Sequence, residues 1–222
     1  MPSISIFDVI GPNMVGPSSS HTAGAVAIAL LVKKLFPGSV KEVEFVLYGS
    51  FARTYKGHGT DRALLGGMLG FETHDLRIKN SFQLAEEQGL IYSFVTNEKE
   101  TEVHPNTVEI HLTGTDGAFM SVRGVSIGGG KVKIVKINGV DVDFTGEYST
   151  LVIRHLDYPG MVAYIATCLS ERNVNIAFMR LYREKKGATA YSVVESDEVI
   201  PQELLEKLRE HEKVEDVMLI QV

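Results

Sequence analysis

Cysteine is nearly absent: the 222 residues contain one, Cys168. A lone thiol excludes an internal disulfide, and it excludes a zinc or iron–sulfur centre built from several cysteines of this chain. In MVAYIATCLSER, helical spacing places Cys168 near Val162, Ile165 and Leu169, so it reads as a small buried apolar residue rather than a reactive thiol. Runs of one charge sign are also missing. Lys and Arg total 22 against 28 Asp and Glu, a formal net charge of −6, and the charge is spread along the chain. An acidic chain without a basic run has no footprint for nucleic acid, and there is no acidic tail. No apolar stretch approaches the roughly 20 residues that cross a bilayer. The opening MPSISIFDVIG lacks the basic region and long apolar core of a secretory signal. Together these absences set the expectation of a soluble, cytoplasmic chain, with no membrane or nucleic-acid partner and no metal site of its own.

What is present divides into two parts, and the length suits two small domains with separate cores. The first is expected over residues 1–147. It opens with a capped helix over about residues 21–36, then a strand at 40–48 and short helices near 50–55 and 60–69. A helical segment at 78–89 closes on Gly89. The pattern then changes to strands: 91–95, 107–112, 118–122, 131–137 and 140–144, with hairpin turns at 114–117 and at Asn138-Gly139. Gly128-Gly129-Gly130 is not a phosphate loop, because no Gly-Lys-Ser/Thr follows; a glycine bend or bulge between strands is expected. His104, His74 and His111 read as loop or polar-face residues without metal-ligand spacing. The second domain, 148–222, reads strand, helix, strand, strand, helix, strand. That is the ferredoxin-like βαββαβ order, with Pro201 placed in the first turn of the last helix. Helices first and strands later make the whole chain α+β.

Two clusters carry chemistry. The first is Gly16 to Gly24, GPSSSHTAG, at the mouth of the first helix. Helix starts leave unpaired amides and partial positive charge, which suit a carboxylate or phosphate. One serine would be enough for a cap. Ser18, Ser19, Ser20 and Thr22, with His21 among them, exceed that need and point to an anion site. The second cluster is Gly57-His58-Gly59-Thr60-Asp61. Glycines on both sides leave the His58 imidazole open to a ligand, and Thr60 or Asp61 can cap the next helix. The simpler explanation is a loop histidine beside a capping Thr-Asp. With both clusters in one domain, a hydroxyl-rich site with two histidines is the better reading, since histidine is the usual proton shuttle near neutral pH.

The stretches IGPNMVGPSSSHTAGA and YGSFARTYKGHGTDRALLGG resemble the beta chain of the iron–sulfur-dependent bacterial L-serine dehydratases, and the similarity runs the full length. The resemblance implies a serine dehydratase beta-chain domain, like the allosteric substrate-binding domain of some 3-phosphoglycerate dehydrogenases, followed by an ACT domain. It also implies L-serine ammonia-lyase activity, giving pyruvate and ammonia from L-serine. The cofactor would be a [4Fe–4S] cluster, whose ligands lie on a separate alpha chain in two-chain members; this chain would be half of an enzyme.

In that chemistry an α-proton leaves and the hydroxyl must be made a leaving group. No lysine here has a companion phosphate cup, so pyridoxal phosphate is not indicated. Ser18, Ser19, Ser20 and Thr22, with the helix amides, suit the serine carboxylate, and Gly59, Thr60 and Asp61 would join them in binding the substrate. His58 is favoured as the base over His21, because its two glycines leave it accessible. The positive helix end should lower the His21 pKa and suit it to hydrogen bonding. In the second domain Asp157-Tyr158-Pro159-Gly160 resembles the ligand loop of ACT domains. Asp157, Pro159 and Gly160, with Asn175, would hold an amino acid at a homodimer boundary; locally, the same residues also read as a plain turn in which Asp caps and Pro starts the helix. The alternative for the whole chain is a non-catalytic module that binds an anion or amino acid as a regulator.

Overall fold

The computed structural model describes residues 13–221. The opening stretch weighed as a signal, and Ile10, Gly11 and Pro12 of the first motif, lie outside the described residues. The chain divides into two compact units, Met1–Asn138 and Gly139–Val222. The fold is mixed α+β with two sheets.

In the first unit Ser18 is the N-cap of a π-helical turn, Ser19–Ala23, which leads directly into α1, Gly24–Leu35. The helix begins two residues before the sequence pattern placed it. Helix α1 is apolar nearly all round, with Ala25, Val26, Ile28, Ala29, Leu31, Val32 and Leu35 buried; a helix of that kind belongs inside a core. Strand β1, Val40–Tyr48, follows as expected, then α2, Gly49–His58, and α3, Thr60–Met68. A 3₁₀ turn, Leu76–Asn80, and α4, Ser81–Glu87, complete the helical half. The strands are β2, Ile91–Asn97, β3, Thr107–Gly114, β4, Phe119–Gly128, and β5, Lys131–Ile137.

Within this unit the strands lie in the order β2-β1-β3-β4-β5. β1 and β2 are parallel; the other neighbours are antiparallel, with Phe45 opposite Ile110 and Ile110 opposite Val122. Alternation sets the two faces. Val43, Phe45, Leu47, Val108, Ile110 and Leu112 are fully buried. The other face carries Glu44, Glu109, His111, Ser121 and Arg123. There Arg123 Nη2 donates to Glu109 Oε2 at 2.6 Å, and His111 Nδ1 lies 2.9 Å from Glu44 Oε2. Gly128, which ends β4, and Gly129 and Gly130 after it form the bend, all with positive φ, and the β4–β5 register shifts beside them.

Three glycines bring α1 against its neighbours. A Cβ at Gly124 of β4 would collide with Ile28 Cγ2, and one at Gly24 would collide with Ser126 Oγ. A Cβ at Gly67 of α3 would collide with the Val26 carbonyl oxygen and come within 2.8 Å of the Ala29 Cβ. Helix α1 is therefore held between the sheet and α3 at backbone distance.

The second unit begins with β6, Val140–Phe144, then β7, Ser149–Leu156, α5, Met161–Ser170, β8, Phe178–Arg183, β9, Thr189–Ser196, α6, Gln202–Arg209, and β10, Val214–Ile220. β7 to β10 form an antiparallel sheet in the order β10-β7-β9-β8. Its core joins Leu151, Ile153, Val194 and Val217 to Ile165, Cys168 and Leu169 of α5 and Leu204 and Leu208 of α6. Cys168 is buried beside Ile165 and Leu169, but Val162 is 43% exposed and is no part of that core. Pro201 is the N-cap of α6 with extended backbone, one residue outside the first turn.

Gly67→Ala is expected to destabilise the first unit by about 1–3 kcal/mol, because the backbone of α1 has to move. Urea unfolding measures this, and an unchanged midpoint would show that α1 and α3 can separate freely.

Candidate functional site

The π turn decides where the first cluster points. Such turns are rare and recur at functional sites. Ser18 has extended backbone, and its Oγ accepts from the His21 amide at 3.1 Å. That is a cap in the ordinary sense. The same hydroxyl lies 3.3 Å from Ser20 Oγ, which in turn is hydrogen-bonded to His21 Nδ1 at 3.0 Å. On the other side of the ring, His21 Nε2 is hydrogen-bonded at 2.9 Å to Ser50 Oγ at the start of α2. Both ring nitrogens of His21 are thus held by hydroxyls. Neutral imidazole has one donor and one acceptor, and serine can serve either.

His58 comes alongside. Its ring centroid is 4.8 Å from that of His21, tilted by 36°, and Phe51 packs edge-on to His21 at 5.3 Å. Thr22 Oγ1 donates to the His58 carbonyl at 3.1 Å, which ties the π turn to the end of α2. His58 was expected in an open loop; it is the last residue of α2, with Gly59 in the left-handed conformation as the C-cap. The glycine pair reads as a break in sequence, yet only Gly59 needs its φ of 66°. His58 Nδ1 is buried and has no hydrogen-bond partner among the described residues.

Burial, and after it the neighbouring His58, hold the His21 imidazole below its ordinary range. The direction is the one expected from the helix end, but its cause is different. Asp61 is pushed up by its burial, against hydrogen bonding from the Arg62 amide at 2.8 Å.

A cavity of about 240 Å³ opens beside this pair, lined by Thr22, His58, Gly59, Lys56, Arg62 and Lys79 among others. Of the residues singled out in the sequence, it gathers Thr22, His58 and Gly59. Ser18, Ser20 and His21 are joined to one another behind it, and Ser19 lies in the π turn with them. Thr60 is completely buried and does not line the cavity. Neither Thr60 nor Asp61 caps α3, since Gly59 occupies the cap position without a side chain. Ser50, Lys56, Arg62 and Lys79 were missed. Ser50 had a sequence signal, a hydroxyl directly after the glycine that follows a strand, but its contact with His21 spans 29 positions.

A family model described as Serine dehydratase beta chain matches residues 5–91. Across 204 residues the chain is 45% identical to the L-serine dehydratase beta chain of Peptoniphilus asaccharolyticus, covering 92% of both chains. The chain belongs to the L-serine dehydratase beta-chain family. It is also 41% identical, over the same share of each chain, to the probable L-serine dehydratase beta chain of Bacillus subtilis. A more distant match, 27% identical, covers 86% of this chain and 36% of the D-3-phosphoglycerate dehydrogenase of Methanocaldococcus jannaschii.

This beta-chain family member carries its second group of candidates in the other unit. Asp157 does not cap α5: its Oδ2 accepts from the Gly187 amide at 2.9 Å and from Arg183 at 3.3 Å. Those contacts, the Gly187 amide foremost, hold its carboxyl below the usual range. Gly160 is the N-cap of α5, in the left-handed region, so Pro159 stands outside the helix. Asn175 follows the far end of α5 and donates its amide to Glu198 at 2.8 Å. Ten helical residues separate it from the 157–160 loop, about 15 Å along the axis. One chain does not bring these four residues together.

The lowered His21 pKa has a defined sign. The unfolded imidazole titrates near about 6.5. Stability linked to the neutral folded form is complete above that pH and is lost as pH falls through it toward the folded value. In an NMR titration His21 is expected to titrate below the ordinary histidine value, and His58→Gln should raise its pKa by removing the neighbouring charge. No change in that variant would assign the depression to burial alone.

Proposed function

We propose that this chain is the beta subunit of an L-serine dehydratase (L-serine ammonia-lyase) and works in the cytoplasm with a cysteine-bearing alpha chain. The observation that carries the reading is the His21–His58 pair beside the cavity, with ring centroids 4.8 Å apart. A [4Fe–4S] cluster does not fit this chain. Its lone thiol, Cys168, is buried in the core of the second unit, and no group of three His, Cys, Asp or Glu among the described residues could hold a metal ion. The cluster falls to the partner chain.

This chain's part is proton handling. His58 has an uncommitted buried nitrogen and lines the cavity, so it is the group to take the α-proton of L-serine. His21 is tied at both nitrogens and disfavours a positive charge, so it holds the neighbouring ring and hydroxyls in place rather than exchanging protons with substrate. Loss of the proton from Cα and of hydroxide from Cβ leaves an enamine, which water converts to pyruvate and ammonia.

The second unit is proposed as an amino-acid-binding ACT domain. Its sheet order and the separation of Asn175 from the 157–160 loop support a ligand held between two copies, hence a homodimer. A regulatory module without catalysis is the second reading. It is favoured by the long match to a 3-phosphoglycerate dehydrogenase, an enzyme of different chemistry.

The chain alone is expected to show no turnover. Co-expression with an alpha chain under anaerobic conditions should give conversion of serine to pyruvate, and His58→Ala should lower it by at least about 100-fold with the complex intact. Turnover by the isolated chain would overturn the subunit reading; a complex whose His58→Ala form retains turnover would favour the regulatory one.

A further inference from the structure

At the far end of α1 from His21, a second cavity of about 290 Å³ opens where α1, α3 and α4 end and β1 begins. Lys33 lines it with Ser39, Val40, Met68, Gln88 and Leu90, and no Asp or Glu does. Lys33 and Lys34 both stand in the last turn of α1, where a cation complements the helix dipole. Only one of them is needed for that. Lys34 is exposed and has a partner. Lys33 is half-buried, and its side chain forms no hydrogen bond or ion pair among the described residues.

The backbone makes room for the Lys33 amine. Gly70, just past α3, has a φ of 90°, and a Cβ there would come within 2.8 Å of Lys33 Nζ. A side chain at Gly70 is thus excluded twice, by conformation and by the amine lying against it. Burial holds the Lys33 amine below its ordinary range, which leaves more of it neutral and nucleophilic. The cavity is below the roughly 300–1,000 Å³ that drug-sized ligands use, so whatever meets the amine there has few atoms.

We propose that Lys33 is a covalent site for a small neutral aldehyde, held in this cavity as a Schiff base. The neutral Nζ adds its electron pair to the carbonyl carbon. The carbonyl oxygen takes up two protons, one of them from Nζ, and leaves as water, so that an imine remains. Protonated, the imine carries the single positive charge that the ammonium had. That charge suits a place where three helices end, because their C-terminal carbonyls are partially negative. An acylated lysine would lose the charge there, and an anionic reagent would be repelled. The site lies apart from the two histidines and is measured without turnover, so it stands or falls separately from the dehydratase reading.

The test treats the purified full chain with limiting acetaldehyde and sodium cyanoborohydride, which reduces the imine to a stable ethylamine, and reads each lysine by peptide mass spectrometry. Lys33 is expected to be labelled at least about fivefold faster than Lys34 or Lys99, both exposed. The preference should vanish in urea, where the cavity no longer exists. Gln88→Glu, a near-isosteric change at an exposed lining position, gives the ammonium a carboxylate partner. It should slow Lys33 at least about twofold and leave Lys34 and Lys99 unchanged, with the fold checked by circular dichroism. Equal labelling of the three lysines, a preference that persists in urea, or a Lys33 rate indifferent to Gln88→Glu overturns the proposal.

Discussion

The close approach of α1 to its neighbours is the constraint on which the first unit depends. Gly67 and Gly124 let a helix with almost no polar face lie at backbone distance from α3 and from β4. Each half of the candidate site is measured from that helix. The π turn is its direct extension, and α3 carries Arg62 and follows His58 through a single left-handed residue. Packing of this density transmits small displacements rather than absorbing them. A shift of α1 would move His21 relative to Ser50 and His58 together.

Hydroxyl groups in this site act mainly on an imidazole. Ser18, Ser20 and Ser50 surround His21, and Thr22 fastens the same turn to the His58 carbonyl. A histidine so enclosed is oriented at both ends and kept neutral, while its neighbour keeps a nitrogen uncommitted. Two adjacent imidazoles are thereby made chemically unequal by their surroundings, which is how environments separate the roles of like groups. The opposite face of the sheet shows the same principle with carboxylates. Burial would raise Glu109, but Arg123, Ser121 and Tyr48 hold it at about 2, whereas the half-buried Asp61 is raised.

Much of the architecture was legible because local signals agreed with one another. β1, β5 and β6 lie where alternation and turn glycines placed them, and the bend at 128–130 follows from three glycines without a phosphate-loop ending. Local signals failed where a residue had a different partner from the nearest one. Asp157 stands before a helix as a cap would, yet its oxygen goes to Gly187, thirty positions away. Thr60 occupies a capping position in sequence, but the core closes over it. Val162 fits a helical stripe beside Cys168 but falls on its outer edge. The gathering of Lys56, Arg62 and Lys79 joins the two helices around His58 to a 3₁₀ turn far along the chain, and no periodicity marks such a meeting.

The π turn gives the Ser-Ser-Ser-His run a meaning that depends on counting. A turn closed by bonds five residues back holds one residue more than an α-turn, and α1 cannot slide to absorb a change because glycine contacts fix it on both sides. Removing one serine would close the turn to ordinary α geometry and alter the angle at which His21 leaves the helix. Adding one would lengthen the loop ahead of the cap and leave His21 where it is. The segment should therefore tolerate insertion better than deletion. Its length sets the phase of the imidazole as surely as its composition sets the hydrogen bonds.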